Sequence, residues 1–192
     1  MEAFLNSAAV VGFGEMGDKT QVLALLLAMR YRRSLPILTG IFFATLVSMG
    51  VTALLGTTLS AWVPGHLLRW LLVVLFAGVA IWTLIPEDDD DDEDDDEAPF
   101  TSSSSLVLTA FITFVLAELG DKSQIATLLM AAKYREFELV MSGATLGEMI
   151  AIAPAVLLGK TTAQWIPMLW VRIAAALLFA ALSAWIAIFG LE

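Results

Sequence analysis

Cysteine is absent from this 192-residue chain, and histidine occurs once, at His66. The first absence excludes disulfides, thiolate metal centres and cysteine nucleophiles together. The second leaves zinc or copper sites built on His and Cys ligands without a partner residue. Charge is scarce too: 16% of residues are Asp, Glu, Lys or Arg, against 59% hydrophobic. No polar stretch is long enough for a separate soluble catalytic domain, so enzymatic activity is not expected, nor is a nucleic-acid partner. Met1-Glu2-Ala3 lacks the basic start of a signal peptide, so the first apolar segment is expected to be retained.

What is there is apolar, with a mean hydropathy of +0.83. A helix needs about 20 apolar residues to cross a bilayer. Six segments qualify, at about 4–29, 37–59, 67–86, 105–132, 138–159 and 168–190. The fold expected is an all-α integral membrane protein of six transmembrane helices. The net charge of −10 belongs to one place, because residues 87–97 are eleven consecutive acids and the rest of the chain is +1. That run reads as a solvated linker, with a cation-attracting role on the cytoplasmic face as the alternative.

Shifting the chain by 103 residues aligns its halves without a gap. Glu15, Gly17, Asp18, Lys19 and Gln21 meet Glu118, Gly120, Asp121, Lys122 and Gln124. Tyr31, Arg32, Gly40, Gly56, Trp62, Pro64, Arg69, Phe76 and Trp82 likewise meet Tyr134, Arg135, Gly143, Gly159, Trp165, Pro167, Arg172, Phe179 and Trp185. The pattern is an internal duplication. Repeats of three helices enter the membrane from opposite sides, giving inverted repeats over 1–86 and 104–192 joined by a linker at 87–103. Short loops place Arg30, Arg32, Arg33, Lys160 and Arg172 on one side, and Arg69, Lys133 and Arg135 on the other. The first side is expected to be cytoplasmic and to carry the acidic run, leaving both termini outside. The four paired tryptophans at predicted helix ends read as interfacial belt residues.

Ionisable groups at bilayer depth are costly and mark functional sites. Here one costly set occurs twice. On a continuous helix, Glu15 and Asp18 would share a face, as would Glu118 and Asp121, with Lys19 and Lys122 placed to pair with the glutamate four residues earlier. Four carboxylates and two lysines leave −2, which one divalent cation neutralises. Without a cation, such a site takes up protons instead. The further donors are the amides of Gln21 and Gln124 and the hydroxyls of Thr20 and Ser123, an oxygen set suited to magnesium, calcium or manganese. Met16 faces Leu119 in the repeat and reads as packing. Gly12, Gly14, Gly17 and Gly120 either unwind the helix beside the acids or allow close packing. A purely structural set of ion pairs is the competing reading, but apolar packing would avoid its desolvation cost. Gly12 to Gly17 also matches a dinucleotide fingerprint, though no strand precedes it and the second half lacks the glycines. Glu148 stands opposite Thr45 and breaks the symmetry. It is a proton carrier or a fifth ligand, and the expected role is proton coupling.

The doubled Glu-φ-Gly-Asp-Lys-[Thr/Ser] motif, in six predicted helices around an acidic loop, resembles the small manganese exporters of the MneA type. These are relatives of the Golgi and chloroplast cation/proton exchangers for calcium and manganese. The resemblance covers the whole chain. It implies export of Mn²⁺, or Ca²⁺, against protons through Glu15, Asp18, Glu118 and Asp121, with no permanently bound cofactor. It also implies a bacterial inner membrane. The residues alone leave open a passive cation channel or an exporter of small organic solutes.

Overall fold

The computed structural model describes residues 1–84, 102–158 and 168–190, and among them every regular element is an α-helix. In chain order these are α1 (Glu2–Glu15), α2 (Lys19–Tyr31), α3 (Ser34–Trp62), α4 (Gly65–Leu84), α5 (Ser103–Ala117), α6 (Lys122–Tyr134), α7 (Phe137–Leu158) and α8 (Met168–Phe189). The acidic run, Gly159, Lys160, Trp165 and Pro167 lie outside the described residues, as do the side chains of Trp82 and Arg172. Helices α3 and α7 are each long and apolar enough to cross a membrane, and α5 with α6 qualifies as one span bent by 75°. The chain is a helical membrane protein.

The segments expected as continuous helices over 4–29 and 105–132 are each broken at the charged cluster. The cause is local. Gly17 and Gly120 adopt φ of 78° and 77°, the left-handed region that ends a helix and suits a residue without Cβ. The new helix starts two residues later, capped by the aspartate between. Asp18 is the N-cap of α2 and accepts from the Lys19 amide at 2.8 Å, and Asp121 holds the same position before α6. Gln21 Oε1 accepts from the Gly17 amide at 2.9 Å, and Gln124 Oε1 from the Gly120 amide at 3.1 Å.

The duplication is visible in the packing. Helix α1 lies along α7, α3 lies along α5, and α4 packs on α8. Gly40 and Gly143, matched in the repeat, make matched close approaches. A Cβ on Gly40 would sit 2.4 Å from the Val107 carbonyl oxygen, and one on Gly143 would sit 2.3 Å from that of Phe4. Phe4 and Val107 are themselves 103 residues apart. Phe76 and Phe179, another matched pair, are both buried and meet with ring centroids 6.3 Å apart. Paired residues that meet one another mark the line about which the halves are related.

Candidate cation site

The two breaks bring the motif acids inward. Glu15 is the last residue of α1, Glu118 follows the end of α5, and Asp18 and Asp121 start α2 and α6. All four are buried. Glu15, Asp18 and Asp121 each present an oxygen within 4.8 Å of the others, so two ligand candidates come from the first half and one from the second. Thr20 Oγ1 donates to Glu15 Oε2 at 2.5 Å, and Ser123 Oγ donates to Asp121 Oδ2 at 3.3 Å. These matched hydroxyls hold the carboxylates in place.

The lysines correct an expectation. Pairing with the glutamate four residues earlier requires an unbroken helix, and the breaks at Gly17 and Gly120 remove it. The ion pairs cross between the halves instead. Lys19 Nζ lies 3.6 Å from Asp121 Oδ1, and Lys122 Nζ lies 3.4 Å from Asp18 Oδ2. The first lysine side chain is 48% exposed, the second 8%. The pairs match in sequence but not in environment.

Glu118 turns toward Glu148. Thr45 Oγ1 lies 3.3 Å from Glu118 Oε1 and 3.1 Å from Glu148 Oε1, and all three residues are fully buried. Thr45 and Glu148 are matched positions, so this contact lies on the line relating the halves. Thr45 carries no charge or ligand motif that would mark it for the site. Its only signal was the alignment, since matched residues on a two-fold line must meet. The Ser48 hydroxyl, also unassigned from sequence, lies against Glu118.

Gln21 and Gln124, expected among the ligands, use their amide oxygens to hold the broken turns. Gln21 Nε2 also donates to the Ala151 carbonyl at 2.9 Å, which ties α2 to α7. The glycines divide between the two readings. Gly17 and Gly120 unwind the chain, while Gly12 packs with its Cβ position 3.1 Å from the Gly147 carbonyl oxygen.

Glu15 Oε1, Glu118 Oε2, Asp121 Oδ1 and Glu148 Oε2 are buried without a hydrogen-bond donor among the described residues. Such oxygens are expensive to leave unmatched. The two lysines pair with Asp121 and Asp18, and the buried acids outnumber them, so the site is short of positive charge. Carboxylate and hydroxyl oxygens are ligands for hard divalent cations.

The family model described as divalent cation/proton antiporter GDT1 matches residues 3–91 and 106–192, which covers both halves. A protein named "Putative manganese exporter" from Vibrio cholerae serotype O1 (strain ATCC 39541 / Classical Ogawa 395 / O395) is 40% identical over 181 residues, spanning 93% of this chain and 87% of that one. GDT1-like protein 5 of Oryza sativa subsp. japonica is 29% identical over 215 residues, spanning 92% and 90%. GDT1-like protein 4 of Arabidopsis thaliana is 31% identical over 219 residues, spanning 93% and 92%. No solved structure matches the chain. With both copies of the acidic motif inside the matched residues, the chain belongs to the GDT1 family of divalent cation/proton antiporters.

Proposed function

We propose that this protein is a secondary active transporter that exports a divalent cation, Mn²⁺ foremost and Ca²⁺ as the related substrate, in exchange for protons. The observation that carries the reading is the three-carboxylate cluster of Glu15, Asp18 and Asp121, buried and shared between the halves. Glu118 supplies the fourth motif acid, and Thr20 and Ser123 supply hydroxyl oxygens. Gln21 and Gln124 shape the turns that aim the acids. Lys19 and Lys122 balance charge while the cation is absent and give way when it enters. Glu148 carries the proton. It is tied through Thr45 to Glu118 and therefore senses whether the motif acids are occupied.

The membrane arrangement that suits this role has six spans as two inverted repeats, 1–86 and 104–192, with residues 87–103 as an acidic linker. Each broken pair, α1 with α2 and α5 with α6, then acts as one span interrupted at the site. That is how transporters bring polar groups to mid-membrane. The setting is a bacterial inner membrane, with both termini outside and the linker in the cytoplasm. The family description supports the cation/proton exchange, and the name of the Vibrio cholerae relative supports manganese.

The test is a metal panel on purified protein in liposomes carrying an internal pH indicator. Mn²⁺ entry should drive proton movement in the opposite direction, and an imposed pH gradient should drive Mn²⁺. Metal flux without proton flux would make the protein a channel and end the exchange reading.

A further inference from the structure

Four buried positions along α3 and α6 carry oxygen or sulfur, whereas their matches on α7 and α2 are hydrocarbon. Ser48, Met49 and Thr52 on α3 and Thr127 on α6 are buried. Their matches in the other half are Ala151, Ile152, Ala155 and Ala24, also buried. Four positions with oxygen or sulfur thus stand against four without. Hydroxyls add little to an apolar helix contact, and in a membrane helix they commonly bond the carbonyl one turn back on their own helix. Thr127 does otherwise, its Oγ1 reaching across to Met49 Sδ at 3.1 Å.

This polar seam begins at the carboxylates and ends at a protein face. At its head, Ser48 lies against Glu118, which keeps one buried oxygen without a donor. Thr127 follows Ser123, the donor to Asp121, by one helical turn. Farther along, Gly56 lies so close to α6 that a Cβ there would sit 2.3 Å from the Leu128 carbonyl oxygen. At the end, exposed Arg135 donates from Nη2 to the Ser60 carbonyl at 3.4 Å.

We propose that the α3–α6 seam is a cation path between the carboxylate site and the face bearing Arg135, shut in this structure, with the Thr127 and Thr52 hydroxyls, beside Met49, as a weak second station. The inference rests on the carboxylates being the cation site. A divalent ion leaving charged ligands must regain its coordination shell in steps. Neutral hydroxyl ligands lower that barrier without trapping the ion, as carboxylates there would. The matched α2–α7 positions carry no hydroxyl or thioether, and the Gln21 bond to the Ala151 carbonyl clasps those helices together, so the two ends of the route differ chemically although the halves are duplicates.

Because the chain has no cysteine, single-cysteine variants can be made without altering a background. Thr52→Cys and Ala155→Cys would be treated in Mn²⁺-loaded proteoliposomes with a membrane-impermeant maleimide, added from each side in turn. Arg135→Cys serves as the marker of its face. Thr52→Cys is expected to react from the Arg135 side alone, about tenfold faster during Mn²⁺ turnover than at rest, and Ala155→Cys to stay unreactive from that side. The double variant Thr52→Val, Thr127→Val is expected to bind Mn²⁺ at equilibrium as the parent does but to turn over about tenfold more slowly, the worth of roughly one hydrogen bond to a charged group. An unreactive Thr52→Cys during turnover, or parental turnover in the double valine variant, would overturn the path. A parent with no Mn²⁺ binding at equilibrium would fell the carboxylate site, and the path with it. The equilibrium titration tells that failure from the others.

Discussion

Lys19 and Lys122 occupy matched positions, yet one side chain is half exposed and the other nearly enclosed. Removing one partner from a buried ion pair strands a charge and costs about 3–5 kcal/mol, whereas an exposed pair is worth about 1 kcal/mol or less. Lys122→Met is therefore expected to lower the thermal midpoint clearly more than Lys19→Met, as differential scanning fluorimetry in detergent would record. Added Mn²⁺ should recover part of the loss by supplying the missing positive charge. Asp18→Asn and Asp121→Asn preserve volume and remove a charged ligand. Each should weaken Mn²⁺ binding by more than the 10–100-fold typical of changes just outside a metal's ligand shell, with the protein still inserted. Glu148→Gln should retain Mn²⁺ binding and flatten the pH dependence of transport. Lost affinity with an unchanged pH profile would make Glu148 a ligand instead. The acids and their hydroxyls were legible as residue types. Their partners were not, because i, i+4 reasoning assumes a helix that Gly17 and Gly120 interrupt.

Among the elements, the broken helices and the glycine contacts determine the site. Gly40 and Gly143 let α3 approach α5 and α7 approach α1 with carbonyl oxygens 2.4 and 2.3 Å from where a Cβ would stand. No side-chain rotation relieves a clash with backbone, so the helices must move apart. Gly143→Val is expected to destabilise the protein by about 1–3 kcal/mol or more, the usual range for overpacking, visible as a lower midpoint and loss of inserted protein. An unchanged midpoint would mean the contact is loose. The sequence matched these glycines in the repeat without revealing which surface each would meet. Hydropathy located the apolar segments but passed over the breaks, since it averages across a few residues and the breaks depend on backbone angle at single glycines. Long α3 and α7 agree with the segments read from composition.

At the scale of the whole molecule, the 103-residue shift was the most informative property of the chain. It foretold that Phe76 would find Phe179 and that Thr45 would find Glu148 only if those residues lay on the line relating the halves, which one-dimensional alignment does not locate. The departures from symmetry, such as the polar α3–α6 seam, required knowing which helices touch. The acidic run is expected to matter little to transport, because charges in water are screened within about 8 Å at physiological salt. Deleting residues 88–97 should leave Mn²⁺ flux near the parental value, and abolished flux in a correctly inserted deletion would assign the run a gating role. The central claim is that the duplicated motif builds one cation site across the halves rather than one in each. Titrating Mn²⁺ into purified protein, with free ion followed by electron paramagnetic resonance, tests this most directly. One ion per chain, lost on either Asp18→Asn or Asp121→Asn, is the expected result; two ions per chain, with each substitution removing half, would contradict it.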